Sequence, residues 1–181
     1  MLLKYVFQNF NFNKNIIFTF LFMYNFTKKL KMEFENIKSE VENIINSNEN
    51  RDEKLIRICQ LLQDSISYYN WVGFYFANHE TKTLHLGPYV GAETDHTVIP
   101  FGKGICGQVA ESNANFVVPD VSAQDNYIAC SFTVKSEIVV PLFVNGINIG
   151  QIDIDSHVID PFTEADERFL EFVNEQVALL F

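Results

Sequence analysis

The chain has 181 residues, 48% of them hydrophobic, which is enough for one domain with a real core and too little for two large ones. Its 23 acidic and 13 basic residues give a net charge of -10; with no basic patch to override that field, nucleic acid is not an expected partner. Three cysteines, Cys59, Cys106 and Cys130, are odd in number and widely spaced, which argues against a secreted disulfide scaffold and for a reducing cytoplasm.

The first 31 residues hold five lysines and no acid, leaving eight basic residues for the rest of the chain against all 23 acids. Their longest lysine-free stretch, Asn15 to Thr27, is 13 residues, short of the roughly 20 that span a bilayer, and no small-residue cleavage site follows the apolar run Ile16 to Met23. For 1–31 we expect a disordered tail, or a translated upstream segment ahead of a start at Met32. A membrane-associating segment or a secretory signal is the lesser alternative. A single domain is expected over 32–181.

From Met32, the pattern Phe34, Ile37, Val41, Ile44, Ile45 and then Leu55, Ile58, Leu62, Ile66 predicts two amphipathic helices. Cys59 lies beside the second stripe, as a core or boundary residue without chemistry. In NWVGFYFANHETKTLHLGPYVG, aromatic and β-branched residues flank a polar break, predicting a hairpin of Trp71 to Phe76 with Leu84 to Tyr89. After the loop GAETDHT, Gly104 to Ser112 reads as a short helix, NFVVPDV as a short strand, and SAQDNYIACSF as irregular. SEIVVPLFVNGINIGQIDIDS is two strands joined at Asn145-Gly146, a pair favoured in tight hairpin turns. The tail opens on Thr163 as a cap, with acids in the first turn and an apolar face through Phe169, Phe172, Val173, Val177 and Leu180. Helices, then strands, then a helix predict an α+β domain, a mainly antiparallel sheet carrying helices.

Three features carry candidate chemistry. GKGICG, Gly102 to Gly107, matches the dinucleotide fingerprint in form, but it does not follow the first strand of a βαβ unit, so no nucleotide site is expected. A helix starting there would turn its free N–H groups toward Cys106 and could lower its pKa; the motif equally fits a small residue in a crowded turn. Asp153 and Asp155 alternate with Ile152 and Ile154, so both carboxylates leave one face of a strand, either to serve a cationic ligand or as the wet face of a half-exposed sheet. A plain two-residue turn pairs residue i with 291 − i, putting Glu137 opposite Ile154 and diagonal to both acids. The four histidines show no paired ligand spacing and no two cysteines lie within five residues, so no metal site is expected.

NWVGFY, LGP, IPFGKGICG, DNYIAC, SEIVVPL and GQIDIDS, in this order and spacing, resemble the GAF-domain free methionine-R-sulfoxide reductases from about Met32 to the C-terminus. The resemblance implies a GAF-like fold, a central antiparallel sheet of about six strands with helices packed on it. It also implies reduction of free L-methionine-R-sulfoxide with Cys130 as nucleophile, which becomes a sulfenic acid, then a disulfide recycled by thioredoxin with NADPH and thioredoxin reductase. Under it no cofactor is bound, and Glu137, Asp153 and Asp155 hold the substrate ammonium and polarise the S–O bond. Trp71 and Tyr75 surround the methyl end, and Ile128 and Ala129 supply backbone contacts. A homodimer through the opening helices is expected by analogy.

One departure matters. Many members of that family carry a resolving cysteine in the loop before IP, where GAETDHT offers His96 or Asp95 instead. Cys106 then inherits the resolving role, unless an external thiol takes it, and His96 is a candidate proton carrier. The missing cysteine also favours the rival reading, a non-catalytic GAF domain that senses a small molecule.

Overall fold

The computed structural model describes residues 34–124 and 133–181, and divides the chain into compact units of Met1–Asn36 and Ile37–Phe181. Of the first unit only 34–36 are described, in helical conformation; the expectation of a tail at 1–31 lies outside the described residues.

In the second unit, helix α1 (37–45) buries Ile37, Val41, Ile44 and Ile45, and α2 (Arg51–Ser65) buries Leu55, Ile58, Cys59 and Leu62, the predicted stripes. Asn50 caps α2 in a reciprocal box with Glu53, which satisfies two backbone donors at its start. Cys59 is fully buried, its thiol donates to the Pro88 carbonyl at 3.6 Å, and burial pushes its pKa far up, so it packs and does not react. Among the described residues no helix is long and apolar enough to cross a membrane.

Strands β1 (Trp71–Asn78) and β2 (Thr83–Val90) form the predicted hairpin. The three residues of β3 (Val98–Pro100), then α3 (Gly104–Ser112), β4 (Phe116–Val118) and a 3-10 turn at Val121–Ala123 follow. The chain closes with β5 (Ser136–Val144), β6 (Ile147–Ser156) and α4 (Glu164–Ala178). The six strands pair antiparallel throughout in the order β3-β2-β1-β6-β5-β4, a GAF-type α+β sheet as expected. β3 escaped prediction because three residues ending in proline are too short for a periodic signal.

The two sheet faces carry different layers. Val72, Phe74, Ile138, Val140, Ile152 and Ile154 alternate to one side and are at most 1% exposed, beneath α2, which packs on β1 and β2, and α4, which packs on β5 and β6. The other side bears Trp71, Tyr75 and Val139, clustered with Ile105, Cys106 and Val109 of α3. Thr163 caps α4, and Asp166, fully buried in its first turn, accepts from the Tyr68 hydroxyl at 2.8 Å and the Tyr69 hydroxyl at 3.0 Å, tying the helix to the segment that leads into β1.

Candidate active site

The central hairpin decides which acids meet. Asn145 and Gly146 both have positive φ, 52° and 78°, the mirror-image turn that suits the strand twist and that glycine adopts without strain. The 291 − i register holds for Val144 with Ile147 and Phe143 with Asn148, and then breaks, because Leu142 pairs with Gly150 and Ile149 is an extra residue. Beyond this bulge Glu137 lies directly opposite Asp155, not Ile154, and Val139 opposite Asp153. Glycine is required beside the bulge: a Cβ on Gly150 would stand 2.2 Å from the Tyr75 carbonyl oxygen, so the strand approaches β1 there only as glycine. The interior glycine was the one signal in the sequence for the shift.

Directly opposed residues share a face, so Glu137, Asp153 and Asp155 form one acidic cluster on the α3 side, with Gln151 behind them. They are 3%, 2% and 3% exposed, which rules out the wet-face reading. Cys106, in the first turn of α3, donates its thiol to Asp153 Oδ2 at 3.2 Å and lies 3.9 Å from Glu137 Oε1. Asp153 Oδ1 and Asp155 Oδ1 have no hydrogen-bond partner, and none of the three acids makes an ion pair among the described residues.

Electrostatics follows from this burial. Loss of water raises the pKa of Glu137 well above the usual carboxyl range, and the nearby Asp153 and Asp155 raise it further. Asp155 is raised by burial and then by Asp153; Asp153 is pushed up to about 7 by burial, partly offset by the Cys106 hydrogen bond. Three carboxylates that cannot all be charged near neutral pH favour an incoming cation and keep at least one proton available for donation.

The β1 side of the cluster is aromatic. Trp71 pairs with Asp155 across β1 and β6, and its indole stacks on Tyr89 at 5.3 Å and on Tyr75 at 6.3 Å. Both predicted aromatic residues also hold the loop at 91–97: Trp71 Nε1 donates to the Ala92 carbonyl at 3.1 Å and the Tyr75 hydroxyl to the His96 carbonyl at 2.9 Å. The loop in which a cysteine was expected is therefore anchored by the site itself. His96 lines a cavity of about 10 Å³ with Lys103, Cys106, Glu137 and Asp153, and a second hollow of about 90 Å³ reaches Asp155 past Trp71, Thr94, Thr133 and Val134.

The structure thus brings together Trp71, Tyr75, Cys106, Glu137, Asp153 and Asp155. The other predicted site residues, Ile128, Ala129 and Cys130, lie outside the described residues. The GKGICG turn sits between a short antiparallel strand and α3, not in a parallel βαβ unit.

Comparison with known proteins adds three findings. The profile of the GAF domain matches residues 50–181. GAF domain-containing protein A of Dictyostelium discoideum is 35% identical over 138 residues, 76% of this chain and 85% of that protein, and the free methionine-R-sulfoxide reductase of Saccharomyces cerevisiae is 44% identical over 104 residues, 56% of this chain and 57% of the enzyme. The X-ray structure of free methionine-R-sulfoxide reductase from Neisseria meningitidis in complex with its substrate superposes with a TM-score of 0.77 at 33% identity, covering 82% of this chain and 87% of that one.

Proposed function

The chain belongs to the GAF domain family, and on that premise we propose that it is an oxidoreductase that reduces free L-methionine-R-sulfoxide to methionine. The observation that carries the reading is the buried convergence of Glu137, Asp153 and Asp155 beside a tryptophan and a tyrosine. A free amino acid brings an ammonium group that a buried acidic cluster can neutralise, and a methyl thioether end that an aromatic wall can cover. A peptide-bound methionine has no such ammonium, so the acids select the free form. Relatives bearing this activity by name support the same substrate.

In the proposed reaction the Cys130 thiolate attacks the sulfoxide sulfur while a carboxyl of the cluster protonates the departing oxygen; Asp153, with its pKa near 7, is suited to that transfer. The protonated oxygen passes from the substrate sulfur to the Cys130 sulfur as the new sulfur–sulfur bond breaks, giving methionine and the Cys130 sulfenic acid. The Cys106 thiol then attacks the sulfenic sulfur, water leaves, and the resulting disulfide is reduced by the dithiol of thioredoxin, itself renewed by NADPH through thioredoxin reductase. Asp153, accepting from the Cys106 thiol, is placed to take its proton. The reading includes a cytoplasmic setting and a homodimer.

A thioredoxin-coupled assay tests it: NADPH is consumed with free L-methionine-R-sulfoxide, and not with the S form or a peptide-bound sulfoxide. Cys130→Ser abolishes turnover; Cys106→Ser slows recycling by thioredoxin and leaves one turnover per enzyme. Activity that survives Cys130→Ser would falsify the mechanism. The cysteine-free loop GAETDHT favours a second reading, a sensor that binds free methionine sulfoxide without turnover. Saturable binding with no NADPH consumption would select it.

A further inference from the structure

The Cys106 sulfur, a Glu137 oxygen and an Asp153 oxygen lie within 4.8 Å of one another, contributed by α3, β5 and β6. All three residues are less than 5% exposed, at 4%, 3% and 2%. Two further observations point to a ligand at this spot. Asp153 Oδ1 is buried and has no hydrogen-bond partner among the described residues, and the adjoining cavity, about 10 Å³, has room for a single water-sized particle. Tetrahedral zinc, with bonds of roughly 2.3 Å to sulfur and 2.1 Å to oxygen, sets its sulfur and oxygen ligands about 3.6 Å apart. The Cys106 sulfur stands 3.2 Å from one carboxylate oxygen and 3.9 Å from the other, on either side of that value.

We propose that Cys106, Glu137 and Asp153 form a binding site for a borderline-soft divalent cation of the Zn²⁺ class, with water as the fourth ligand. The thiolate selects against Mg²⁺ and Ca²⁺, which prefer oxygen donors alone. Binding is a displacement without redox change: the thiol proton and any carboxyl proton leave to solvent as metal–sulfur and metal–oxygen bonds form. Ligand positions at 106, 137 and 153 are too far apart in sequence to show as a spacing motif. One consequence rests on the function proposed above: the metal occupies the carboxylates that receive the substrate ammonium and ties up the resolving thiol, so zinc inhibits turnover.

The test uses the full chain, reduced and metal-free. Equilibrium dialysis gives one zinc per chain, and Co²⁺ gives a near-ultraviolet thiolate-to-cobalt band with the strong visible bands of a four-coordinate ion. That band is lost in Cys106→Ser and kept in Cys130→Ser. Glu137→Gln, with the thiol left in place, weakens zinc by more than the roughly 10–100-fold that changes behind the ligands cost elsewhere, so the site stays testable even should Cys106→Ser fail to fold. No cobalt band in the wild type, a band that survives Cys106→Ser, or unweakened zinc in Glu137→Gln overturns the site. In the coupled assay zinc lowers turnover and a chelator restores it. Zinc bound with turnover untouched overturns the inhibition; absent turnover from metal-free protein instead sinks the functional reading, while the dialysis result stands by itself.

Discussion

Strand β6 carries two opposite kinds of interior on alternate residues. Ile152 and Ile154 face α4 and are fully buried among apolar side chains, whereas Asp153 and Asp155 face α3 and are almost as deeply buried among one another's charges and Glu137. One face gains from losing water; the other loses by it, since each carboxylate forfeits hydration with no paired cation among the described residues. Equal burial therefore does not mean equal contribution to the fold. The apolar face holds the backbone rigid, and the acidic face is kept in an unfavourable state that a cationic ligand relieves.

Breaking the acidic face should have the largest effect, and chiefly on turnover. Asp153→Asn is expected to lower kcat/KM for methionine sulfoxide by about 10²-fold or more, the usual range for a lost proton donor, with the fold intact by circular dichroism. The same variant sharpens the comparison through pH. Asp153 titrates near 7 in the folded chain and near 4 when unfolded, so between those values the folded state binds more protons and stability falls as pH rises. The slope is at most about 1.4 kcal/mol per pH unit for each such proton. Urea unfolding at a series of pH values should show a shallower fall in Asp153→Asn than in the wild type; an unchanged slope would mean that Asp153 titrates as an ordinary exposed acid.

The apolar face should respond in the opposite currency. Ile154→Ala is expected to cost about 2–5 kcal/mol in urea unfolding, with turnover per folded molecule close to wild type. A loss of turnover without loss of stability would break the division between the faces. The smallest effect belongs to the rim: Tyr75→Phe removes the hydroxyl that holds the His96 carbonyl, a bond worth about 1 kcal/mol. Its KM should rise a few-fold with little change in kcat, and a large fall in kcat would instead put the hydroxyl in the chemistry.

Much of this was legible because it is local. The Asn145-Gly146 turn, the stripes of α1 and α2, the cap at Thr163 and the alternation of Ile152 to Asp155 are each written within a few residues and appear as expected. What was not legible depends on distant backbone. The tethers from Trp71 and Tyr75 end on main-chain carbonyls, which any residue type supplies, so nothing at Ala92 or His96 announces them. The approach of Cys106 to Asp153 depends on how α3 crosses the sheet, 47 positions away along the chain. The facing of Glu137 depended on an extra residue that periodicity treats as one more member of a strand.

That extra residue, Ile149, acts as a parity switch. In a paired ladder every residue is odd or even with respect to the two faces, and inserting one between turn and site exchanges the two classes for everything beyond it. Were Ile149 paired and not skipped, the turn's register would run on, Glu137 would come opposite Ile154 and a carboxylate would be forced into the dry isoleucine layer. An extra residue between this turn and the acids is therefore tolerable only where the ladder skips it; kept in the pairing, it would turn the carboxylates away from Glu137 and dismantle the site from a point far from the thiol.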